Sequence, residues 1–156
     1  QVFTGGGIDP ILADGMIAAQ LADSYGRISS DQIACGLFLL SLGVRYPLRK
    51  HAAEKIYLCL SGTLRLQHGL EGAAFNLRPG QYSHTPPHRL HSLQVAEAPV
   101  LLAYVWIGAL TDPNWWWSQD DADGWSRAAW RRSPQGSWRP EHSKPVTPNM
   151  MVEARQ

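Results

Sequence analysis

Residues 46–62 read YPLRKHAAEKIYLCLSG, and the reading of this stretch decides the fold. It is a strand–turn–strand segment carrying His51 and Tyr57, with Arg49 and Lys55 beside them. Strand side chains alternate between the two faces, so residues two apart point the same way. Arg49 and His51 therefore share one face, and so do Lys55 and Tyr57. Glu54 points to the opposite face. His91 follows a Pro-Gly turn and the Pro86-Pro87 bend, which places it on a neighbouring strand. Two imidazoles, a phenol and two cations brought together in this way predict a small-molecule site inside a small barrel.

Outward from this segment the same texture continues. IACGLFLLSLGV (33–44) is a continuous apolar run of the kind a buried strand shows. TLRLQH (63–68) alternates strictly, and AAFNL, QYSH and VLLAYVWIG (100–108) follow. Turn signals at Ser61-Gly62, at 69–72 and at Arg78-Pro79-Gly80 separate them. Short strands at regular spacing with glycine turns predict a mainly β, single-domain antiparallel sandwich or barrel. Before it, the glycines at 5–7 are poorly suited to structure. Apolar residues over 9–25 fall near helical spacing, with Asp9 as N-cap, Pro10 at the first helical position, a break near Gly15 and a stop at Gly26. One N-terminal helix is expected there. After Leu110 the chain is Trp-rich and irregular, with a short helix expected within 120–132, ending before Ser133-Pro134, and a proline-rich tail. The expected organisation is a helical extension (1–31), a barrel (32–110) and a Trp-rich segment packing on it (111–156).

A chain of 156 residues forms one ordinary domain. Apolar content of 44% with 17% charged residues is globular rather than disordered. A formal charge of +1 gives no electrostatic case for nucleic acid or an anionic membrane. No apolar run reaches the length of a membrane helix and no leader is visible, so a cytoplasmic protein is expected. Cys35 and Cys59 lie in apolar strands and read as small core residues, with pairing left open. Trp115-Trp116-Trp117 cannot all face one way. They read as a cover over a barrel end, a dimer contact, or an aromatic cage for a sulfonium or ammonium group.

The string Tyr46-Pro47, His51-Ala52-Ala53-Glu54, Ile56-Tyr57-Leu58, Leu60-Ser61-Gly62-Thr63 resembles the first motif of the cupin dimethylsulfoniopropionate lyases. PPHRLH and LLAYVWIG resemble that family's second motif and final barrel strand, so the likeness covers roughly 37–110. It implies a cupin-type double-stranded β-helix, or jelly roll, holding one divalent metal (Zn, Fe, Mn or Ni). His51 and His91 fall on metal ligands, Tyr57 on a tyrosine that binds metal and acts as base, and Tyr46 on a second pocket tyrosine. Arg49 stands at the position of the first histidine and Lys55 at that of the glutamate. Replacing an imidazole and a carboxylate with two cations reverses the electrostatics a divalent ion needs.

Two readings of the cations compete. In one, Arg49, Lys50 and Lys55 extend to solvent, and His51 and His91 are hydrogen-bonded structural residues. In the other, Arg49 and Lys55 face inward. Arg49 would then bind a small carboxylate, Lys55, Tyr57 and Tyr46 would move protons, and Tyr104 and Trp106 would add an apolar wall. The second reading predicts acid–base chemistry of the elimination type without the usual metal. An isomerase or cyclase and a non-catalytic small-molecule binder are its alternatives. His84 and His88 read as loop residues, or as substitutes for the missing ligands. A homodimer is expected.

Overall fold

The computed structural model describes residues 8–24, 26–119, 124–133 and 137–155. The chain opens with helix α1 (Pro10–Gly15), then strands β1 (Met16–Asp23), β2 (Ile28–Ser29), β3 (Ile33–Leu40), β4 (Arg45–Lys50), β5 (Glu54–Ser61) and β6 (Leu64–His68). It continues through β7 (Phe75–Leu77), β8 (Tyr82–Thr85), β9 (His91–Val95), β10 (Val100–Ile107), β11 (Asn114–Gln119), β12 (Trp125–Arg132), β13 (Trp138–Pro145) and helix α2 (Pro148–Arg155). A six-stranded sheet runs β2-β1-β3-β10-β5-β8, and a seven-stranded sheet runs β13-β12-β11-β4-β9-β6-β7. Every pairing is antiparallel except the short β1–β2 contact.

The inner faces of the sheets meet in one core. Leu40, Cys59 and Leu102 from one sheet join Leu64, Leu66 and Val95 from the other. The strands expected over 33–108 form, because their apolar residues alternate toward this core. Both cysteines are free, with Cys59 buried and Cys35 half-buried. Among the described residues no helix is long and apolar enough to cross a membrane.

Two stretches differ from expectation. The N-terminal helix exists but ends at Gly15, and the next eight residues are strand β1 rather than its continuation. Asp9 caps the helix by accepting from the Ile11 amide. Beyond Gly15 the open edge of β3 captures the chain, pairing Met16 with Leu40 and Gln20 with Gly36. At that pairing a Cβ on residue 36 would lie 2.1 Å from the Ala19 carbonyl oxygen, so only glycine permits the approach. The register then shifts between Gln20 and Ala22, a bulge that turns Asp23 inward. Tyr25, the end of the expected helix, lies outside the described residues, as do the glycines at 5–7.

The second difference is at the C-terminus. Residues 125–132, expected as helix, form strand β12, and most of the expected irregular tail forms β13 and α2. Residues 120–123 and Pro134 lie outside the described residues. Strand β11 explains the change, because it pairs with β4 (Trp115 with Lys50, Trp116 with Arg49) and extends the larger sheet. The three adjacent indoles then alternate across a sheet. Trp116 packs inward, stacked on Trp130 (centroids 4.5 Å apart) and edge-on to Tyr46 at 5.3 Å. Trp117 enters a smaller core with Leu90 and Ala154.

Candidate active site

A cavity of about 400 Å³ opens between the sheets. Tyr46, Arg49, Lys55, Tyr57, Tyr104 and Trp106, the six catalytic and substrate-binding positions expected from sequence, all line it. Arg49 and Lys55 are each 1% exposed, which removes the reading in which both extend to solvent. Their inward placement follows from strand geometry. On β5 alternation turns Lys55, Tyr57 and Cys59 inward, while Glu54 stays at the surface, 2.6 Å from His84. On β10 the partners of Tyr57 and Lys55 are Tyr104 and Trp106, so four side chains form two cross-strand pairs on one face.

On β4 simple alternation would set Tyr46 and Arg49 on opposite faces. The β4–β9 register shifts between them, and both are buried. Pro47, which has no amide proton to give a ladder, lies in this shift. The Arg49 guanidinium lies over the Tyr46 ring, 3.5 Å from its centroid, and donates to the Pro47 carbonyl at 3.3 Å. The Lys55 ammonium nitrogen lies 4.0 Å from the Trp106 ring centroid and 5.3 Å from that of Tyr57. Neither cation forms an ion pair with a carboxylate among the described residues.

Two buried basic groups without an anion are costly, and the lysine is the one whose protonation responds. Burial, reinforced by the Arg49 charge, pulls the Lys55 amine well below its usual range. Burial pushes the Tyr57 phenol up, opposed by the charge of Arg49 and a hydrogen bond from it. Burial likewise raises Tyr46, against the pull of Arg49. Near neutrality the site therefore offers a permanent cation, a lysine inclined to be a free amine, and phenols that hold their protons.

His51 and His91 stand behind this wall and do not line the cavity. The Trp106 indole is stacked on His51 (4.7 Å, 14°) and separates it from the cavity. His51 Nδ1 lies 2.7 Å from the Ala53 carbonyl and His91 Nδ1 2.9 Å from that of Arg89. A carbonyl only accepts, so each Nδ1 carries the proton and each Nε2 keeps a lone pair. Both Nε2 atoms are buried without a hydrogen-bond partner, and the rings meet edge-on at 5.0 Å. Burial first, then the charges of Lys55 and Arg49, holds both imidazoles neutral.

Two such lone pairs are half of a metal site. The rest does not fit a divalent ion, because no third histidine, cysteine or carboxylate among the described residues joins them. The groups nearest in charge are instead Arg49 and Lys55. His84 is engaged at the surface and His88 is exposed, in a left-handed backbone conformation (φ 61°). None of Trp115, Trp116 and Trp117 lines the cavity.

Further lining comes from residues that sequence reasoning did not select, among them Gln20, Phe38, Arg132 and Trp138. Arg132, at the end of β12, pairs with the inward-turned Asp23, and its second nitrogen donates to Gln20 Oε1 at 2.7 Å. Tyr104 hydrogen-bonds with Gln20, and burial together with the Asp23 charge pushes its phenol up to about 12. Phe38 stacks on Tyr104 at 4.3 Å, and Trp138 completes the apolar side. No local signal marked Arg132, because WSRAAWRR lacks the apolar–polar alternation of a strand. Asp23→Ala would leave Arg132 beside a lost anion. The expected cost is about 3 kcal/mol, read from the denaturant midpoint.

The lowered groups also set a pH dependence. Where a folded-state pKa lies below the unfolded one, the unfolded chain binds more protons in between, and stability rises with pH through that interval. For His51 and His91 the interval ends at the ordinary 6.5, and for Lys55 at the ordinary 10.5. The melting temperature should therefore climb from mildly acidic to mildly alkaline pH. Above about 10 the raised tyrosines oppose the trend, because the native state there holds the extra protons. Lys55→Met should remove the alkaline part of the climb, and differential scanning calorimetry across pH reads both.

The two antiparallel sheets, with the candidate site between their inner faces, have the architecture of a cupin barrel, as in the cupin domain of Schizosaccharomyces pombe Cnp3 (TM-score 0.51, 15% identity, covering 59% of this chain and 60% of that one). The chain belongs to the dimethylsulfoniopropionate lyase family, whose profile matches residues 8–102. The dimethylsulfoniopropionate lyase DddQ of Ruegeria pomeroyi is 29% identical over 86 residues, which are 54% of this chain and 42% of that protein. The crystal structure of DddQ from Ruegeria pomeroyi DSS-3 superposes with a TM-score of 0.63 at 23% identity, covering 69% of this chain and 54% of that one. KdgF from a Halomonas species gives a TM-score of 0.52 at 17% identity, over 60% of this chain and 79% of that one. At these identities the superpositions speak to the fold alone. The chain spans about half the length of the lyases it matches.

Proposed function

We propose that this chain is an enzyme that binds a small carboxylate through Arg49 and performs elimination-type proton chemistry with Lys55 and Tyr57, without the family's usual metal. The observation that carries the reading is the pair of buried basic side chains, Arg49 and Lys55, unpaired with any described carboxylate, on the wall of a cavity of suitable size. A carboxylate supplies the missing anion and forms charge-assisted hydrogen bonds with the guanidinium fork. The free amine of Lys55 takes the proton on the carbon next to that carboxylate, and the bond to the leaving group at the following carbon breaks. Tyr57 and Tyr46 hold their protons in this cavity, so they serve as donors to the developing charge. This exchanges the roles that the family resemblance implies, with the base moving from Tyr57 to Lys55.

The relatives' names make dimethylsulfoniopropionate the first substrate to try, with acrylate and dimethyl sulfide as products. Its sulfonium would lie against Phe38, Tyr104 and Trp138 rather than beside Arg49. We further infer a homodimer. Ile17 and Leu39 are register partners on the outer face of the smaller sheet, with Leu21 and Leu37 also exposed there.

The test is acrylate release by protein dialysed against a strong chelator and checked for residual metal. Turnover should survive that treatment, and Tyr57→Phe, which removes a donor to developing charge worth about 1.5–3 kcal/mol, should lower kcat by about tenfold to a hundredfold. Turnover that vanishes on chelation and returns with one divalent ion would refute the metal-free assignment.

A further inference from the structure

We propose that Lys55 is also a carbonyl-trapping nucleophile, and that the cavity takes small oxo acids, holding their carboxylate on Arg49 while Nζ forms an imine with their ketone or aldehyde carbon. This rests on the carboxylate-binding half of the preceding reading and adds a covalent step to it.

The argument begins with what the chain spends on this side chain. Lys55 is 1% exposed and forms no ion pair among the described residues, yet it lines the cavity of about 400 Å³ between the sheets. A lysine kept for packing would lie against apolar atoms away from a cavity, and one kept for charge would meet a carboxylate. Lys55 does neither. An amine nucleophile needs dry surroundings, a neighbouring cation and access to a ligand. Trp106 and Tyr57 supply the first, Arg49 the second and the cavity the third. Arg49 does more than favour the free amine, since an oxo acid binding its carboxylate there is brought to the amine already oriented.

The step balances with groups present. The Nζ lone pair forms the C–N bond as the C=O π pair moves to oxygen, which takes the Tyr57 proton. The nitrogen returns one proton to the phenolate, leaving a carbinolamine. Tyr57 then protonates the hydroxyl, the C–O bond breaks, and water leaves as the nitrogen lone pair closes C=N. The second nitrogen proton restores the phenol. One amine and one carbonyl give one imine and one water, with no oxidant or reductant.

The chain carries its own controls, because its lysines are Lys50, Lys55 and Lys144. Lys50 lies 3.7 Å from Glu153, and Lys144 is exposed. The experiment incubates the full chain with pyruvate and sodium cyanoborohydride near neutral pH, then locates the reduced adduct by peptide mass mapping. Labelling at Lys55 should exceed that at the exposed Lys144 by about tenfold or more, because a carboxylate seated on Arg49 holds the ketone carbon beside Nζ in the same cavity. Acetone, which lacks the carboxylate, should label Lys55 less, and excess propionate should suppress the pyruvate adduct. Label spread equally over the three lysines, or absent from Lys55, overturns the proposal. Mapping on the unaltered chain makes this independent of whether a Lys55 variant folds. Propionate titrated by calorimetry separates the two failures. Propionate bound without an adduct ends the covalent step alone, and no propionate binding ends the carboxylate reading with it.

Discussion

Lys55→Met is expected to abolish turnover while making the protein harder to unfold. Methionine keeps the unbranched length and fills the space beside Trp106 and Tyr57. Losing a positioned base costs about a hundredfold to ten-thousandfold in kcat. Removing a buried amine whose protonation the fold opposes, and which no described carboxylate compensates, should stabilise the fold by up to about 1–4 kcal/mol, the range seen when buried ionisable groups give way to apolar ones. The two measurements move in opposite directions only if the lysine is kept for chemistry. A variant both inactive and less stable would show that Lys55 holds the barrel together.

Arg49→Met should act on binding rather than on the chemical step. The guanidinium is the permanent cation of the cavity, stacked over Tyr46 and fixed by the Pro47 carbonyl. A charged hydrogen-bonding partner is worth about 1.5–3 kcal/mol, so KM for a carboxylate substrate should rise roughly tenfold to more than a hundredfold. The effect on kcat should be smaller, unless the loss of Arg49's charge lets Lys55 take up its proton. In that case the ascending, acidic limb of the pH–rate profile moves to higher pH, because the amine now becomes free only at higher pH.

The legible part of this molecule was its strand rhythm. From Ile33 to Ile107 the alternation of apolar residues and the glycine turns were enough to place the strands, and the parity of Lys55 and Tyr57 put both on one inner face. Arg49 joined them for a different reason, since the register shift at Pro47 sets Tyr46 and Arg49 together against simple alternation. Strand β1 was hidden because Ile17, Leu21 and their neighbours fit both periods, and pairing with β3 decided between them. Strand β11 was hidden because its partner β4 lies about 65 residues earlier in sequence, and β12 and β13 form by pairing in turn on the edge it provides. With β12 unseen, Arg132 and its contacts to Asp23 and Gln20 went unseen too. The histidines show the converse. Their motif is plain in sequence, but the Trp106 indole that parts His51 from the cavity is a matter of packing.

The central claim is that the cavity holds a carboxylate on Arg49 where relatives by resemblance would hold a metal. A crystal structure of chelator-treated protein soaked with acrylate tests it most directly. The account predicts acrylate oxygens within hydrogen-bonding distance of the Arg49 guanidinium, its vinyl carbons toward Lys55, and both imidazole Nε2 atoms unchanged. A cation bridging His51 and His91, with Arg49 and Lys55 swung away and acrylate bound to that ion, would contradict it.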